Sequence, residues 1–198
     1  MKSIKILAPI KNLDDIKLFE DSKCNSVYIY HSFFIENGFS LLDDFINEAQ
    51  KYNLELYINF KRNIKENDVE AVTEFIDYLI SSKITGIMIN SYSVLEIVKS
   101  KRLPFKIIID SSLNIHNLAG IDFVNQFHKV ENINVTEEIY LKNITKLKKY
   151  SSYKLSIDSD NLPWIAEEII KSKSIDMIII KGVFKTQKAL MEGVQLIE

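Results

Sequence analysis

Two aspartates and a lysine stand in this chain where charge is expensive to place. Asp110 follows Ile107-Ile108-Ile109, Asp158 follows Leu155-Ser156-Ile157, and Lys181 follows Met177-Ile178-Ile179-Ile180. A carboxylate at the end of a buried apolar run can act as a general base or as a metal ligand. Its structural alternative is to cap the next helix or to pair with a lysine. A desolvated lysine can have a lowered pKa and form a Schiff base. Its structural alternatives are an ion pair with Asp158 or a stem that snorkels to water. His31, directly after Tyr28-Ile29-Tyr30, is an acid–base candidate. Asp110, Lys181 and His31 are therefore the catalytic candidates.

A second set of polar residues lies in equivalent places. Asn59 and Asn90 end two apolar runs, and Ser112, Asn114 and Asn117 follow Asp110. Asn134 ends another run, and Asp158 belongs to this set as well. Together with Gly182 these are candidates for ligand binding. Lys181-Gly182-Val183-Phe184-Lys185-Thr186 opens the last helix-like segment, where backbone amides can hold an anion. A tight turn at Gly182 and a cap at Thr186 explain the same residues. A three-histidine metal centre would need His31, His116 and His128 to converge, but His128 precedes its run instead of following it. No metal site and no cofactor are expected. No P-loop, zinc-protease or nucleophile-elbow motif is present.

The elements that must position these residues alternate in type. Short runs rich in β-branched residues occur at Ile4–Ala8, Ser26–Tyr30, Leu54–Phe60, Gly86–Asn90, Lys106–Asp110, Val130–Asn134, Tyr153–Asp158 and Asp176–Lys181. Continuous rather than alternating runs suit parallel strands buried on both faces. Between them the apolar residues follow helical spacing. Val69, Val72, Phe75, Ile76, Leu79 and Ile80 share one face, and Leu41, Leu42, Phe45, Ile46 and Ala49 another. Ile139, Ile144 and Leu147 mark a later helix, and Trp164, Ile165 and Ile169 the next. Asn12, Ser40, Asn67 and Thr136 are in place to cap helices, and Pro163 suits a first turn. A last helix is expected over 186–197.

Eight βα units in 198 residues average about 25 residues each. Parallel strands joined by right-handed crossovers close into a barrel at that number. The expected fold is thus an α/β, compact (β/α)8 TIM-type barrel forming a single domain over 1–198. Reactive groups in such a barrel sit at the C-terminal strand ends. Here those ends are polar, while the strand starts read as ordinary turn residues.

Composition excludes several classes. A hydrophobic share of 46% and a charged share of 26% are those of an ordinary globular protein. The net charge of -2 argues against a nucleic-acid-binding surface built on bulk charge. No apolar run approaches the ~20 residues that span a bilayer, and the N-terminus reads as too short for a signal peptide. A cytoplasmic protein with no membrane partner is expected. Cys24 is the only cysteine, so one chain holds neither a disulfide nor a four-thiolate cluster. Its bland reading is a small, partly buried residue.

The order of these segments resembles the collagenase-like peptidase family, peptidase family U32. Ile6-Leu7-Ala8-Pro9-Ile10-Lys11-Asn12-Leu13 followed by Ser26-Val27-Tyr28-Ile29-Tyr30 resembles the family's opening. Leu56-Tyr57-Ile58-Asn59-Phe60 and Gly86-Ile87-Met88-Ile89-Asn90 resemble its next strands. Asp110-Ser111-Ser112-Leu113-Asn114-Ile115-His116-Asn117 matches a serine and two asparagines at the family's spacing. Ile180-Lys181-Gly182-Val183-Phe184-Lys185-Thr186 stands at its last motif.

The resemblance implies a barrel related to peptidases and to proteins that assist hydroxylation of ubiquinone precursors or RNA bases. Some of those carry a four-cysteine iron–sulfur cluster, which this chain cannot supply. The family's arginine after the sixth strand is lost in Asn134-Val135-Thr136-Glu137. Its last glutamate and arginine positions hold Lys181 and Val183. Because the chain ends at Glu198, the family's C-terminal region is expected to be missing.

Three functions remain open at this point. The first is a barrel that binds or processes a small-molecule or peptide ligand at its C-terminal mouth, with a hydrolase or protease activity if it is catalytic. The second is a non-catalytic partner subunit of a full-length relative, within a homo- or hetero-oligomer with a related barrel. The third is an unrelated small-molecule enzyme using Lys181 or a phosphate site at Gly182.

Overall fold

The computed structural model describes residues 4–60, 63–115, 117–126, 130–135, 141–150, 154–158 and 174–181. The readings at His116, His128, Thr136, Glu137, Ile139, Tyr153, Pro163, Trp164, Ile165, Ile169, Gly182, Val183, Lys185 and 186–197 fall outside these residues.

Eight strands form a closed, all-parallel barrel in chain order. They are β1 (Lys5–Pro9), β2 (Ser26–Tyr30), β3 (Glu55–Asn59), β4 (Gly86–Ile89), β5 (Lys106–Ile109), β6 (Val130–Val135), β7 (Lys154–Asp158) and β8 (Met177–Ile179). Closure is made by β8 against β1, with Ile178 opposite Ile6 and Ile179 opposite Leu7. The fold is the expected TIM-type (β/α)8 barrel, and each strand lies within a residue or two of its expected bounds.

Strand residues alternate between lumen and outer shell, so the barrel has two cores. Leu7, Tyr28, Tyr57, Met88, Ile108, Met177 and Ile179 pack on one another in the lumen. The outward residues, such as Ile6, Val27, Ile58, Ile87, Ile107 and Ile178, pack instead with the helices. Those helices are α1 (His31–Asn37), α2 (Leu41–Lys51), α3 (Val69–Ser81), α4 (Tyr92–Lys99), α5 (Leu118–Asn125) and α6 (Leu141–Tyr150). α2 buries Leu42, Phe45, Ile46 and Ala49, and α3 buries Val72, Phe75, Ile76 and Leu79. These are the apolar stripes that the helical spacing marks out.

Several local expectations change. Asn12 does cap the turn after β1: its Oδ1 accepts the Asp15 N–H at 3.1 Å, and Asp15 Oδ2 accepts the Asn12 N–H at 3.3 Å. That turn, Leu13–Phe19, is a 3-10 helix. Ser40 makes no cap bond, because its backbone is already helical (φ -60°, ψ -24°) and a cap needs extended geometry. Asn67 lies inside a 3-10 turn, Glu66–Asp68, that leads directly into α3, so it is not a cap. Helix α1 begins at His31, a segment that the helical spacing does not mark out. Phe33 and Phe34 pull it inward through edge-on contacts with Phe45, at 5.4 Å in both cases.

The strand starts also differ from the ordinary turn residues expected there. Lys5, Glu55, Lys106 and Lys154 begin alternate strands and form ion pairs with one another and with Glu131. Burial alone would raise the Glu55 carboxyl, but Lys5 and Lys106 hold it below the usual glutamate range. From bottom to top the lumen is therefore charged, apolar, then polar.

Gly86 is the small residue this packing requires. A Cβ there would stand 2.6 Å from the Tyr57 Cε1 and 2.7 Å from the Lys106 carbonyl oxygen. The ring could shift, but the carbonyl belongs to a paired strand and cannot. Gly86→Ala is expected to cost about 1–3 kcal/mol of stability, an overpacking penalty readable by urea denaturation.

Candidate functional site at the C-terminal mouth

Four strand ends bring together residues far apart in the chain. Lys181, just beyond β8, places its Nζ 2.7 Å from Asp110 Oδ2 and 3.2 Å from Asp158 Oδ2. It also donates to Ser111 Oγ at 3.0 Å. Ser111 in turn donates to Asp158 Oδ2 at 2.9 Å, and Asn134 Nδ2 donates to Asp158 Oδ1 at 2.6 Å. Asp110 Oδ1 accepts the Ser112 N–H at 2.9 Å, which makes Asp110 the cap of the 3-10 turn Ser111–Leu113. Both structural alternatives for Asp110, capping and lysine pairing, hold at once. Among the described residues the cluster carries two carboxylates for one ammonium.

Electrostatics assign the protons. Burial alone would push the Lys181 ammonium down, but Asp110 and Asp158 outweigh it and hold its pKa above the ordinary lysine value. Its three hydrogens are also matched by three oxygens. A Schiff-base lysine needs the reverse, a lowered pKa and a free lone pair. Asp158 moves up from the usual aspartate value because burial outweighs the help of Lys181, Asn134 and Ser111, while Asp110 adds repulsion. Asp158 is thus the group in the cluster best suited to take a proton.

Asparagines extend the site around the rim. Asn90 Nδ2 donates to Asn59 Oδ1 at 3.1 Å, and Ser112 Oγ donates to the Asn90 carbonyl at 3.0 Å. Continuing the registers of β4–β5 and β5–β6 by one inward step puts Asn90, Asp110 and Asn134 side by side. Among the described residues, Asn90 Oδ1 and Asn134 Oδ1 are buried acceptors with no donor. The Asn134 amide cannot be turned round, since only its Nδ2 can face a carboxylate. Two unsatisfied acceptors flanking Asp110 suit a ligand rich in N–H or O–H groups. Beneath them Tyr28 Oη donates to the Ile180 carbonyl at 3.0 Å. Burial raises the Tyr28 phenol well above its ordinary value, so it stays protonated.

The other candidates make contacts of their own. His31 is buried as the first residue of α1, with its ring stacked on Phe60 at 4.9 Å between centroids. Asn114 adopts left-handed backbone geometry (φ 54°) and donates its N–H to the Ser111 carbonyl at 2.9 Å. Asn117 caps α5 by accepting the Gly120 N–H at 2.9 Å. Gly182 is outside the described residues. Ser111, which sequence reasoning passed over for Ser112, sits between Lys181 and Asp158; its position next to Asp110 was the available signal. Cys24 is buried and its thiol donates to the Ser26 carbonyl at 3.2 Å, the packing role expected of it. Among the described residues no group of three or more His, Cys, Asp or Glu is placed to hold a metal, and no helix is long and apolar enough to cross a membrane.

The family model described as Peptidase family U32 matches residues 36–158. That span contains Asp110, Ser111, Asn134 and Asp158; Lys181 lies beyond it. No curated protein matches this chain. Among solved structures, the YdjI aldolase from Escherichia coli K12 is similar with a TM-score of 0.57 and 10% identity, covering 98% of this chain and 88% of that one. A Coccidioides immitis protein assigned as a fructose-1,6-bisphosphate aldolase gives 0.64 and 9%, covering 98% and 86%. The D-psicose 3-epimerase from Clostridium cellulolyticum H10 gives 0.59 and 12%, covering 98% and 89%. Identities this low carry the fold and nothing about the reaction.

Proposed function

The chain belongs to peptidase family U32, and from that premise we propose that it binds and processes a small or peptidic ligand at the C-terminal mouth of its barrel. The observation that carries this reading is the cluster of Lys181, Asp110, Ser111 and Asp158. Ser111 and Asp158 are separated by 47 positions, and Ser111 and Lys181 by 70. A buried ion pair is a weak source of stability, because desolvation offsets much of the attraction. A surplus carboxylate makes the arrangement poorer still as scaffolding. Strained electrostatics of this kind are common at working sites.

In this reading Asp158 exchanges a proton with the ligand through or beside Ser111. Lys181 remains an ammonium and stabilises negative charge that develops near Asp110 or on the ligand. Asn90 and Asn134 accept ligand N–H or O–H groups and fix its orientation. A peptide amide supplies such donors, as does a free amino terminus.

The test is incubation with a defined mixture of short peptides, with bound and cleaved species followed by mass spectrometry. Wild type is expected to retain or cleave a subset. Asp158→Asn and Ser111→Ala are expected to lose that selection, by about tenfold or more in turnover for a lost acid–base group. Equal behaviour of wild type and both variants would remove the mouth from consideration.

A further inference from the structure

Hydrogen bonding at the mouth is one-sided. The side-chain donor atoms of the cluster and its asparagine rim each have an acceptor. Lys181 Nζ donates to Asp110, Asp158 and Ser111, and Ser111 Oγ passes on to Asp158. Ser112 Oγ donates to the Asn90 carbonyl, Asn134 Nδ2 to Asp158 and Asn90 Nδ2 to Asn59. Two acceptor atoms are left over among the described residues, Asn134 Oδ1 and Asn90 Oδ1. Asn134 is 0% exposed and Asn90 9%, so water does not serve either oxygen well. A buried acceptor without a donor costs free energy until something supplies one.

Both oxygens belong to the same place. Asn90 and Asp110 stand two positions beyond Met88 and Ile108 of the lumen core, so they keep the inward direction. Asn134 lies beside Asp110 one step beyond the pairing of Ile109 with Ile133. The two asparagines therefore flank the Asp110 carboxylate on the inner wall.

Charge selects among donors. Lys181 sits 2.7 Å from Asp110 and 3.2 Å from Asp158, and the other donors to Asp158 are neutral. One ammonium thus serves two carboxylates among the described residues. A carboxylate or phosphate on the ligand would add acceptors and negative charge where both are already in surplus. A hydroxyl brings a single hydrogen with its own lone pairs, and a peptide amide brings a single hydrogen on the nitrogen and no charge. A primary ammonium brings three hydrogens, no acceptor and one positive charge.

Resting on the reading of the mouth as the ligand site, we propose that it recognises a primary ammonium, so that its peptide ligands bind by a free amino terminus. The ammonium donates to Asn134 Oδ1, Asn90 Oδ1 and the Asp110 carboxylate, three acceptors for three hydrogens. Asp158 is left to exchange a proton, as proposed above. A peptide blocked at its amino end loses both the charge and two of the hydrogens.

The probe is the same mixture of short peptides in three forms: unmodified, acetylated at the amino terminus, and amidated at the carboxyl terminus. Retention is read by mass spectrometry at about pH 7, below the α-amino pKa of about 8. Wild type is expected to hold the unmodified and amidated forms alike and the acetylated form about tenfold or more weaker. Asn134→Leu and Asn90→Leu, which each remove one acceptor, are expected to weaken the unmodified form about tenfold and leave the acetylated form unchanged. The comparison of peptide forms needs wild type alone, so it stands even where a variant does not fold. Equal retention of the acetylated and unmodified forms, still abolished by Asp158→Asn, would overturn the ammonium assignment and leave the mouth as the ligand site. Loss of retention on amidation instead of acetylation would overturn it in the same way. Retention of none of the three forms would overturn it together with the reading on which it rests.

Discussion

Lys181→Met is expected to destabilise the protein by about 2–4 kcal/mol near neutral pH, and acidification is expected to return part of that loss. Removing one partner of a buried pair typically costs about 3–5 kcal/mol, and the partial exposure of Lys181 lowers the figure. The lysine side chain is 28% exposed, against 5% for Asp110 and 14% for Asp158. Without the ammonium, two carboxylates share a poorly solvated space.

The sign of the pH dependence follows from Asp158. Its folded pKa is raised, so the folded state binds the proton more tightly than the unfolded chain does. That contribution is present at pH below the ordinary aspartate value and is lost as pH rises through the raised folded one. Losing Lys181 raises it further, so the variant gains stability relative to wild type as pH falls toward mildly acidic values. Urea midpoints of both proteins across that range check this. A variant as stable as wild type at neutral pH would show that the cluster is solvated and the charges are not confined.

Phe75→Ala is expected to cost about 3–5 kcal/mol, independent of pH, with a lower melting temperature and a cavity in the outer core. Phe75 is fully buried on α3 and lies at the centre of an aromatic group. It stacks on Phe34 of α1 at 5.6 Å and meets Phe39 at 4.9 Å and Phe60 at 6.4 Å. His31 stacks on that same Phe60. The ring therefore joins α1 and α3 to the end of β3, and its removal should loosen α1 most. Hydrogen exchange over residues 31–37 gives the local reading: faster exchange there than at β5 is the expected result, and uniform protection would refute the local link.

These two sites show how far the chain could be read. The apolar runs and stripes are dictated by local chemistry, since a strand buried on both faces has to be apolar at consecutive positions. That is why strand bounds, the stripes on α2 and α3, and the barrel itself were legible. Asn12 was legible as a cap for the same reason: its partner, Asp15, is three residues away. α1 was not, because the helix depends on Phe33 and Phe34 finding Phe45 and Phe75. Asn67 failed as a cap because the backbone enters α3 through a 3-10 turn that no single residue type announces.

The candidate site divides along the same line. Strand-end position alone nominated Asp110, Asp158, Asn134 and Lys181, and those four meet. The same rule nominated His31, which stacks on Phe60, Asn114, which turns the backbone, and Asn117, which caps α5. It also passed over the charged strand starts, because Lys5, Glu55, Lys106, Glu131 and Lys154 look like surface residues until the barrel turns them toward one lumen.

What the sequence by itself determined is the alternation of elements, hence the barrel, and the set of polar groups available at each strand end. Periodicity and capping act over a few residues, so one chain contains them in full. Only the tertiary structure decided which of those groups share a space and which of them keeps its proton. Contacts such as Ser111 to Lys181 depend on barrel closure, and pKa shifts depend on the desolvation and neighbours that closure creates.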